Sequence, residues 1–402
     1  MFVDLHAKYA QDAQAQEAAD LTRACVHCGF CLTTCPTYRD GRDERDSPRG
    51  RIYLIKQMLE SGEASDNTRL HLDRCLTCRN CETACPSGMQ YGQLLEIGRD
   101  IVEEAAPRNA TDSGKRWLVR RVFGSPALLR LGLAVARLLR PLLPSSLAAK
   151  VPPAQNPGER PQPRHTRRML VLEGCVQQAA TPATNAAAAR VLDKLGISLE
   201  SVSEAVCCGA LDLHLAAGGP ARERMRRNIE AWWPAIEAGA EAIISSATGC
   251  GATIADYGRL LADDPAYAER AARVSALHRD IAEVIAAEDL AGLSPDTATG
   301  PVAVHTPCSM QHGLGQPDLI SRILERAGFT LAEQPANVLC CGSAGSYSLL
   351  QTEISERVRD SALPTLCVRE PALIASANIG CQLHLATGTE VPVIHWIELL
   401  DS

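Results

Sequence analysis

Eight cysteines near the front of the sequence recur at short, regular spacings. The stretches CVHCGFCLTTCP and CLTCRNCETACP each follow the pattern C-x2-C-x2-C-x3-C-P. Three thiolates at this spacing wrap three corners of a cubane cluster, whereas the fourth lies too far round the turn and ligates the other cluster of the pair. The pattern predicts two [4Fe–4S] clusters, one held by Cys25, Cys28, Cys31 and Cys85 and the other by Cys75, Cys78, Cys81 and Cys35.

Zinc ribbons and structural thiols are the alternatives for these eight cysteines. Zinc sites use cysteines in pairs, whereas each stretch here is a run of four closed by a proline. Thiolate ligation with no open corner permits electron transfer and no bond-making at the irons. We therefore assign no catalytic residue to the chain and predict that it carries electrons.

Eight more cysteines form a second, repeated set. Two Cys-Cys-Gly triplets begin 133 residues apart, and in each case a single cysteine precedes the doublet by 32 residues. A fourth cysteine follows in the stretches SATGC and SANIGC. The shared order indicates a duplicated domain of about 130 residues. The two sets are Cys175, Cys207, Cys208 and Cys250, and Cys308, Cys340, Cys341 and Cys381.

The elements around the repeated cysteines predict parallel sheets. Short apolar runs such as MLVLEGC and VAVHTPC alternate with helical segments such as PDLISRILERAG. Cysteines after parallel strands gather at one sheet edge, where open α/β folds place their sites. Each set of four thiols is therefore expected to converge in a pocket. That pocket is a further metal, iron–sulfur or redox centre, or alternatively a group of reduced thiols that shapes a docking surface for a partner.

Helical patterns surround the front cysteines. Ser47 is suited to cap a helix that has Pro48 at its first position and ends at Ser61-Gly62, and a second helix follows Pro86. The predicted fold class is α+β: an N-terminal α-helical ferredoxin-like domain with two cubane clusters, then two tandem Rossmann-like α/β cysteine-rich repeats. The predicted segments are 1–110 for the helical domain, 111–166 for a basic amphipathic segment and Pro-rich linker, and 167–296 and 297–402 for the two Cys-Cys-Gly domains.

Composition restricts the partners and the compartment. The 402 residues carry a net charge of −7, which argues against a nucleic-acid partner. The first twenty residues have no apolar core, so we expect a reducing, cytoplasmic location in which sets of cysteines bind metal. Residues 115–140 are basic and leucine-rich, which is typical of a helix on an anionic membrane surface, although packing on the same domain or a partner subunit explains it too.

The whole chain resembles the iron–sulfur subunits of glycolate oxidase. The resemblance rests on the sequences of five stretches: ACVHCGFC, PRGRIYLIKQ, LDRCLTCRNCETACPSG, NIEAWWPAIEAGAEAI and CCGSAG. It implies a hetero-oligomer in which FAD-binding subunits oxidise glycolate to glyoxylate. This subunit would pass the electrons to a quinone or another membrane acceptor, from the cytoplasm or from the cytoplasmic face of the inner membrane.

One departure from the wider family and three alternatives accompany this resemblance. Fuller Cys-Cys-Gly domains end in C-x-x-C, but Ala247 and Asn378 stand where the additional cysteine would be. The fused clusters of some relatives therefore do not carry over directly. The alternatives are the equivalent subunit of an anaerobic glycerol-3-phosphate dehydrogenase, that of a D-lactate dehydrogenase, or a thiol–disulfide reductase that works alone.

Overall fold

The computed structural model describes residues 1–335 and 340–401, which fall into two compact units. The first unit comprises Met1–Trp117, Asp212–Gly218 and Leu339–Ala362. The second comprises Leu118–Leu211, Gly219–Val338 and Leu363–Ser402. The second doublet, Cys340 and Cys341, thus belongs to the same compact unit as the front of the chain. The four segments expected from the sequence stay a prediction.

The front of the chain is helical, as predicted. Ser47 caps α3 by accepting a hydrogen bond from the Gly50 amide at 2.9 Å, and the helix ends at Gly62, whose φ of +73° is a left-handed conformation that suits glycine. The helices here are α1 (Ala13–Arg23), α2 (Pro36–Gly41), α3 (Pro48–Ser61), α4 (Asp66–Asp73), α5 (Asn80–Thr83), α6 (Tyr91–Ala105) and α7 (Ala110–Phe123).

The core of the first unit lies between α1, α3, α4 and α6. Leu94, Leu95 and Ile101 on α6 recur at helical spacing and are buried against Ile55 and Leu59 of α3 and their neighbours. Three of the eight front cysteines, Cys25, Cys75 and Cys81, belong to this same core. The packing of these helices therefore fixes the loops that carry the cysteines.

The first Cys-Cys-Gly repeat forms a four-stranded parallel sheet with the strand order β2-β1-β3-β4. Its two central strands, β1 and β3, carry apolar runs that are buried on both faces, as is typical of parallel strands. The elements from the linker through this repeat are α8 (Pro126–Leu139), α9 (Ser145–Ala148), β1 (Arg167–Leu172), α10 (Gln177–Ala180), α11 (Pro182–Lys194), β2 (Ile197–Ser201), α12 (Ala210–His214), α13 (Gly218–Glu237), β3 (Ile243–Ser245), α14 (Thr248–Ala255), α15 (Tyr257–Leu260), α16 (Ala268–Leu277), β4 (His278–Asp280) and α17 (Ile281–Ala287).

The second repeat forms a parallel sheet with the order β5-β6-β7, and a bridge from Val302 to Leu331 occupies the place that β2 has in the first repeat. A shared core joins both sheets through α11, α17 and α18. The remaining elements are β5 (Val302–His305), a π-helical turn (Ser309–Gly313), α18 (Leu319–Arg326), α19 (Tyr347–Leu350), α20 (Thr352–Leu366), β6 (Leu373–Ser376), α21 (Ile379–Ala386) and β7 (Val393–His395). The predicted fold class is confirmed.

Candidate metal centres

Two cavities in the first unit are lined by the front cysteines. The first cavity, with about 410 Å³ of space including its opening, has Cys25, Cys28, Cys31 and Cys85 in its wall. The second cavity, with about 290 Å³, has Cys35, Cys75, Cys78 and Cys81. The fourth cysteine of each stretch therefore faces the three of the other stretch. This is the crossed grouping that the spacing predicts; the ligand assignment itself stays a prediction.

Three residues line both cavities. The walls of both include Pro48, Cys81 and the buried Tyr91, so the cavities lie side by side. Four thiols per cavity match the donor set of a cubane cluster, and the residues present therefore fit two such groups.

The two cysteine loops share an unusual backbone. The residues two and four positions after the first cysteine are left-handed in both, namely His27 and Gly29 in one loop and Thr77 and Arg79 in the other, with φ between +52° and +86°. Three of these four are not glycine, which makes the conformation costly outside a site that uses it. The sequence pattern predicts the loops, but this matching conformation is evident only in the structure.

A buried arginine supports the second cavity. Arg51, on the inward face of α3, has no exposed surface and donates from Nη2 to Thr37 Oγ1 at 3.2 Å and from Nε to the His71 carbonyl at 2.7 Å. The Thr37 hydroxyl lies 3.3 Å from Cys35 Sγ. Asp46, which accepts from Arg51 at 3.4 Å, balances part of its charge. A fixed cation thus stands one hydroxyl away from a predicted cluster ligand.

Cys75 has two further polar neighbours. The buried Arg99 donates from Nη2 to the main-chain carbonyls of Cys75 and Leu72, at 2.9 Å each. The Tyr91 hydroxyl lies 3.5 Å from Cys75 Sγ, which is within range of a hydrogen bond to sulfur. Sequence reasoning missed Arg51, Arg99 and Tyr91. The one available signal was a charged side chain at a core-facing helical position.

Burial raises the pKa values of several front thiols. The pKa of Cys31 rises to about 11, mainly because the thiolate loses solvation. Burial also raises the pKa values of Cys78 and Cys81 well above the ordinary range, and the nearby thiol of Cys340 adds to the rise at Cys78. Since metals bind the thiolate, iron must displace these protons when it enters.

The structure brings the first repeated set of cysteines together. Cys175 Sγ and Cys207 Sγ lie 3.5 Å apart, and the thiol of Cys208 interacts with those of Cys207 and Cys250. Hydrogen bonds from Cys175 and Cys208 lower the pKa of Cys207 well below its ordinary value, and the same bonds raise the pKa values of the two donors. The pocket is therefore suited to hold one thiolate among protonated neighbours.

Hydrogen bonds to the main chain hold the first doublet in place. Asn228 donates to the Cys207 carbonyl at 3.2 Å, and the Tyr257 hydroxyl donates to the Cys208 carbonyl at 2.8 Å. Gly209 has a φ of +94°, and a Cβ there would lie 3.2 Å from the Ala221 carbonyl oxygen. This explains the glycine that follows the doublet: the turn needs a left-handed residue in close contact with α13.

The second repeated set is divided between the two compact units. Cys308 and Cys381 belong to the second unit, whereas Cys340 and Cys341 belong to the first. Within the first unit, Tyr347 donates to the Arg74 carbonyl at 3.2 Å and Arg357 pairs with Asp40 at 2.8 Å. These contacts attach the segment after the doublet to Arg74, which directly precedes Cys75, and to helix α2.

The basic segment forms α7 and α8, and α8 exposes much of its apolar surface. Its leucines include Leu131 at 63% and Leu138 at 80% exposure, and Leu142 just beyond it is 81% exposed. Among the described residues, no single helix has the length and apolar character needed to cross a membrane; only the bent pair Ala110–Phe123 and Pro126–Leu142 passes that test jointly.

Family comparisons agree with this architecture. A model described as a 4Fe-4S dicluster domain matches residues 22–89. A model described as a cysteine-rich domain matches residues 169–255 and again residues 302–386. The fold and the cysteine sites thus define an iron–sulfur protein with a dicluster domain and a duplicated cysteine-rich domain.

Relatives that match over nearly their whole length indicate which family of iron–sulfur proteins this chain belongs to. The glycolate oxidase iron-sulfur subunit of Escherichia coli (strain K12) is 49% identical over 404 residues, which covers 100% of this chain and 99% of that protein. A probable glycolate oxidase iron-sulfur subunit of Bacillus subtilis (strain 168) is 31% identical, over 94% of this chain and 92% of its own length. Lactate utilization protein A of Bacillus thuringiensis (strain Al Hakam) is 28% identical over 54% of this chain and 91% of its own length. The chain belongs to the family of glycolate oxidase iron–sulfur subunits, and the resemblance seen in the sequence is confirmed.

Proposed function

We propose that this chain is the electron-transfer subunit of a glycolate-oxidising complex and holds two [4Fe–4S] clusters. The observation that carries the proposal is the pair of adjacent cavities, each lined by one crossed set of four cysteines. When bound, such clusters supply reversible one-electron transfer. The ligands would be Cys25, Cys28, Cys31 and Cys85 in the first cavity and Cys35, Cys75, Cys78 and Cys81 in the second.

The residues of the chain would bind, shield and connect the clusters. Four thiolates leave no coordination position for a substrate, which matches a role in transfer alone. Because Cys81 and Tyr91 line both cavities, an electron would pass between the clusters over a short distance. Arg51 and Arg99 would stabilise the added negative charge of the reduced second cluster, because both guanidinium groups are buried beside it.

Substrate oxidation would take place in a partner. Converting glycolate to glyoxylate releases two electrons, and a flavin accepts a hydride and then returns the electrons singly. We therefore place FAD in a separate dehydrogenase subunit and infer a hetero-oligomer that delivers electrons to a quinone-type acceptor. The word "subunit" in the names of the two long relatives supports such an assembly.

Helix α8 supports a peripheral contact with the membrane. Its exposed leucines stand beside Arg130, Arg137 and Arg140, a combination that favours an anionic lipid surface. We expect reversible binding to vesicles that contain anionic lipid at low salt, with release at high salt. Wild-type binding that salt does not change, or no binding at all, would favour packing against a partner subunit instead.

The first Cys-Cys-Gly pocket is proposed as a further metal or redox centre. Four thiols around Cys207 suffice for one metal ion or cluster, although Ala247 stands where the fifth cysteine of fuller domains would be. The alternative is a group of reduced thiols that shapes a docking surface. Replacing Cys207 and Cys208 with serine should lower the metal content and electron transfer while the front clusters keep their spectra. Unchanged metal content and turnover would favour the docking role.

Copurification tests the proposed function. A tagged chain should copurify with a flavoprotein, and the complex should reduce a quinone when glycolate is added. The isolated chain should not oxidise glycolate with an artificial dye. A complex that prefers D-lactate would point to the second candidate, which the similarity to lactate utilization protein A favours. Disulfide reduction by the isolated chain would instead support the thiol–disulfide reductase.

A further inference from the structure

The two repeats differ at the last residue of their first strand. Strand β1 ends at Leu172 and strand β5 ends at His305, and each residue stands three positions before the first cysteine of its repeat. Both side chains are buried, at 4% and 1% exposure. An apolar residue at the carboxyl edge of one sheet is thus replaced by an imidazole at the same place in the other.

His305 lies close to a cysteine of the second repeat. One of its ring nitrogens and Cys381 Sγ are within 4.8 Å of each other. Two donors of one tetrahedral zinc or iron ion lie about 3.5 Å apart, so a small rotation of either side chain lets both reach the same ion. His305 lies at the end of strand β5, and Cys381 lies on helix α21, which follows strand β6. Because β5 and β6 pair in parallel, the two residues lie at the same edge of the sheet.

The ring of His305 is oriented by its neighbour in the sheet. Its Nδ1 lies 3.0 Å from Ser376 Oγ, and Ser376 is its register partner on β6. Metal-binding histidines typically use one nitrogen for the metal and hold the other in a hydrogen bond of this kind. A metal ion bound here would therefore take Nε2 as its donor.

A second difference between the repeats adds to the first. Asn378 stands at the position of Ala247 in the first repeat, and its Nδ2 donates to Cys381 Sγ at 3.5 Å. An amide donor stabilises a thiolate. In the second repeat, two nitrogen-bearing side chains thus approach the sulfur of Cys381, where the first repeat has leucine and alanine.

We propose that His305 is a metal ligand of the second repeat and joins Cys381 in a mixed imidazole–thiolate site. The first repeat would then offer thiolates alone. This inference rests on the proposed role of the Cys-Cys-Gly domains as metal centres, and it specifies that the two domains are chemically different. Imidazole and thiolate together suit Zn²⁺ or iron, as a single ion or in a cluster. An imidazole in place of a thiolate also makes an iron site less negative and raises its potential.

The test compares metal content in the anaerobically purified full chain and its variants. His305→Gln and Cys381→Ser should each lose the same equivalents of metal, with at least a tenfold drop in occupancy, while the spectra of the front clusters stay unchanged. His278→Gln is the control, since His278 is another buried histidine on a strand, at β4 of the first repeat. His305→Cys should keep the metal, because a thiolate can replace the imidazole, whereas a merely structural histidine would not be rescued in this way.

Spectroscopy separates the two metals and the two proposals. For iron, pulsed EPR with ¹⁵N-histidine should show an imidazole coupling that His305→Gln removes. For zinc, absorption at the zinc edge should show a nitrogen neighbour that the same change removes. Wild-type metal content and unchanged nitrogen signals in His305→Gln would overturn the inference, as would a wild-type chain with no metal beyond the front clusters. Absence of the front clusters would instead contradict the proposed function.

Discussion

The two front cavities share a sequence pattern and differ in surroundings. The first is near solvent: Cys28 is exposed, and Val26 and Phe30 in its wall are 66% and 63% exposed. The second is backed by Arg51, which is fully buried. The spacing of the cysteines thus determines which thiols meet, whereas the helices behind the loops determine the charge and the solvent that each proposed cluster would experience.

This difference predicts unequal reduction potentials. Burial of a cation beside a cluster favours the reduced state, which carries one more negative charge, because the Coulomb energy is larger where water is excluded. We therefore expect the second cluster to have the higher potential and to accept electrons from the first. The exposed apolar rim of the first cavity is then the expected entry point for electrons.

Exchange of single ligands should have the largest effect. Cys35→Ser should damage the cluster whose other ligands are Cys75, Cys78 and Cys81, although Cys35 belongs to the first stretch. Cys85→Ser should damage the other cluster. The EPR spectrum of each variant should therefore lose the signal of a different cluster. If Cys35→Ser removed the signal that Cys28→Ser removes, the crossed assignment would be wrong.

Loss of the buried positive charge of Arg51 should have the second-largest effect. Arg51→Gln should lower the potential of the second cluster alone, and we expect roughly a tenfold change in its reduced-to-oxidised ratio at a fixed potential, which is 59 mV for one electron. Potentiometric EPR titration measures both clusters at once.

The matched control for this experiment is Arg45→Gln, which removes the same charge from an exposed pair with Asp43. It should leave both potentials unchanged, because solvent screens it. Arg51→Lys checks folding and should restore most of the shift. Equal movement of both clusters in Arg51→Gln would contradict a local effect of the guanidinium.

Removal of one hydrogen bond to sulfur should have a smaller effect. Tyr91→Phe keeps the ring that lines both cavities and removes the hydroxyl that lies 3.5 Å from Cys75 Sγ. The potential of the second cluster should fall, because fewer hydrogen bonds to sulfur favour the oxidised state. We expect its reduced-to-oxidised ratio at a fixed potential to drop by a factor of roughly two to four. A shift in the potential of the first cluster alone would contradict an effect of this hydroxyl through Cys75.

The last effect concerns the pH dependence of stability in the iron-free chain. The pKa of Cys31 is raised to about 11, so the unfolded chain releases this proton near pH 9 while the folded chain retains it. Stability is therefore full below pH 9 and is lost as pH rises towards 11, by about 1 kcal/mol after allowance for solvent screening. Urea unfolding of the apoprotein at pH 8 and pH 10.5 measures the loss. The iron-loaded chain should not show it, because its thiols are already deprotonated; a flat apoprotein profile would contradict the burial argument.

Local rules explain what could be predicted from the sequence. The bounds of α3 follow from Ser47, Pro48 and Gly62, and the parallel strands follow from apolar runs before cysteines. Each of these signals lies within a few residues of the element it specifies. The fold class and the grouping of the cysteines could be predicted from the sequence for that reason.

The remaining features depend on contacts between distant residues. Arg51 contacts the carbonyl of His71, 20 positions away, and Tyr347 contacts Arg74, 273 positions away. A sequence pattern does not show which side chain will lie behind a cysteine loop, because packing of several helices decides it. The pairing of His305 with Ser376 likewise requires the register of β5 and β6.

Iron and sulfide analysis with Mössbauer spectroscopy tests the central claim most directly. The anaerobically purified chain should contain eight irons and eight sulfides in two [4Fe–4S] clusters, because eight thiolates line the two cavities in sets of four. Any further metal of the Cys-Cys-Gly domains should appear as a separate component. Four cubane irons per chain, or zinc in stoichiometric amount at the front cysteines, would contradict the account.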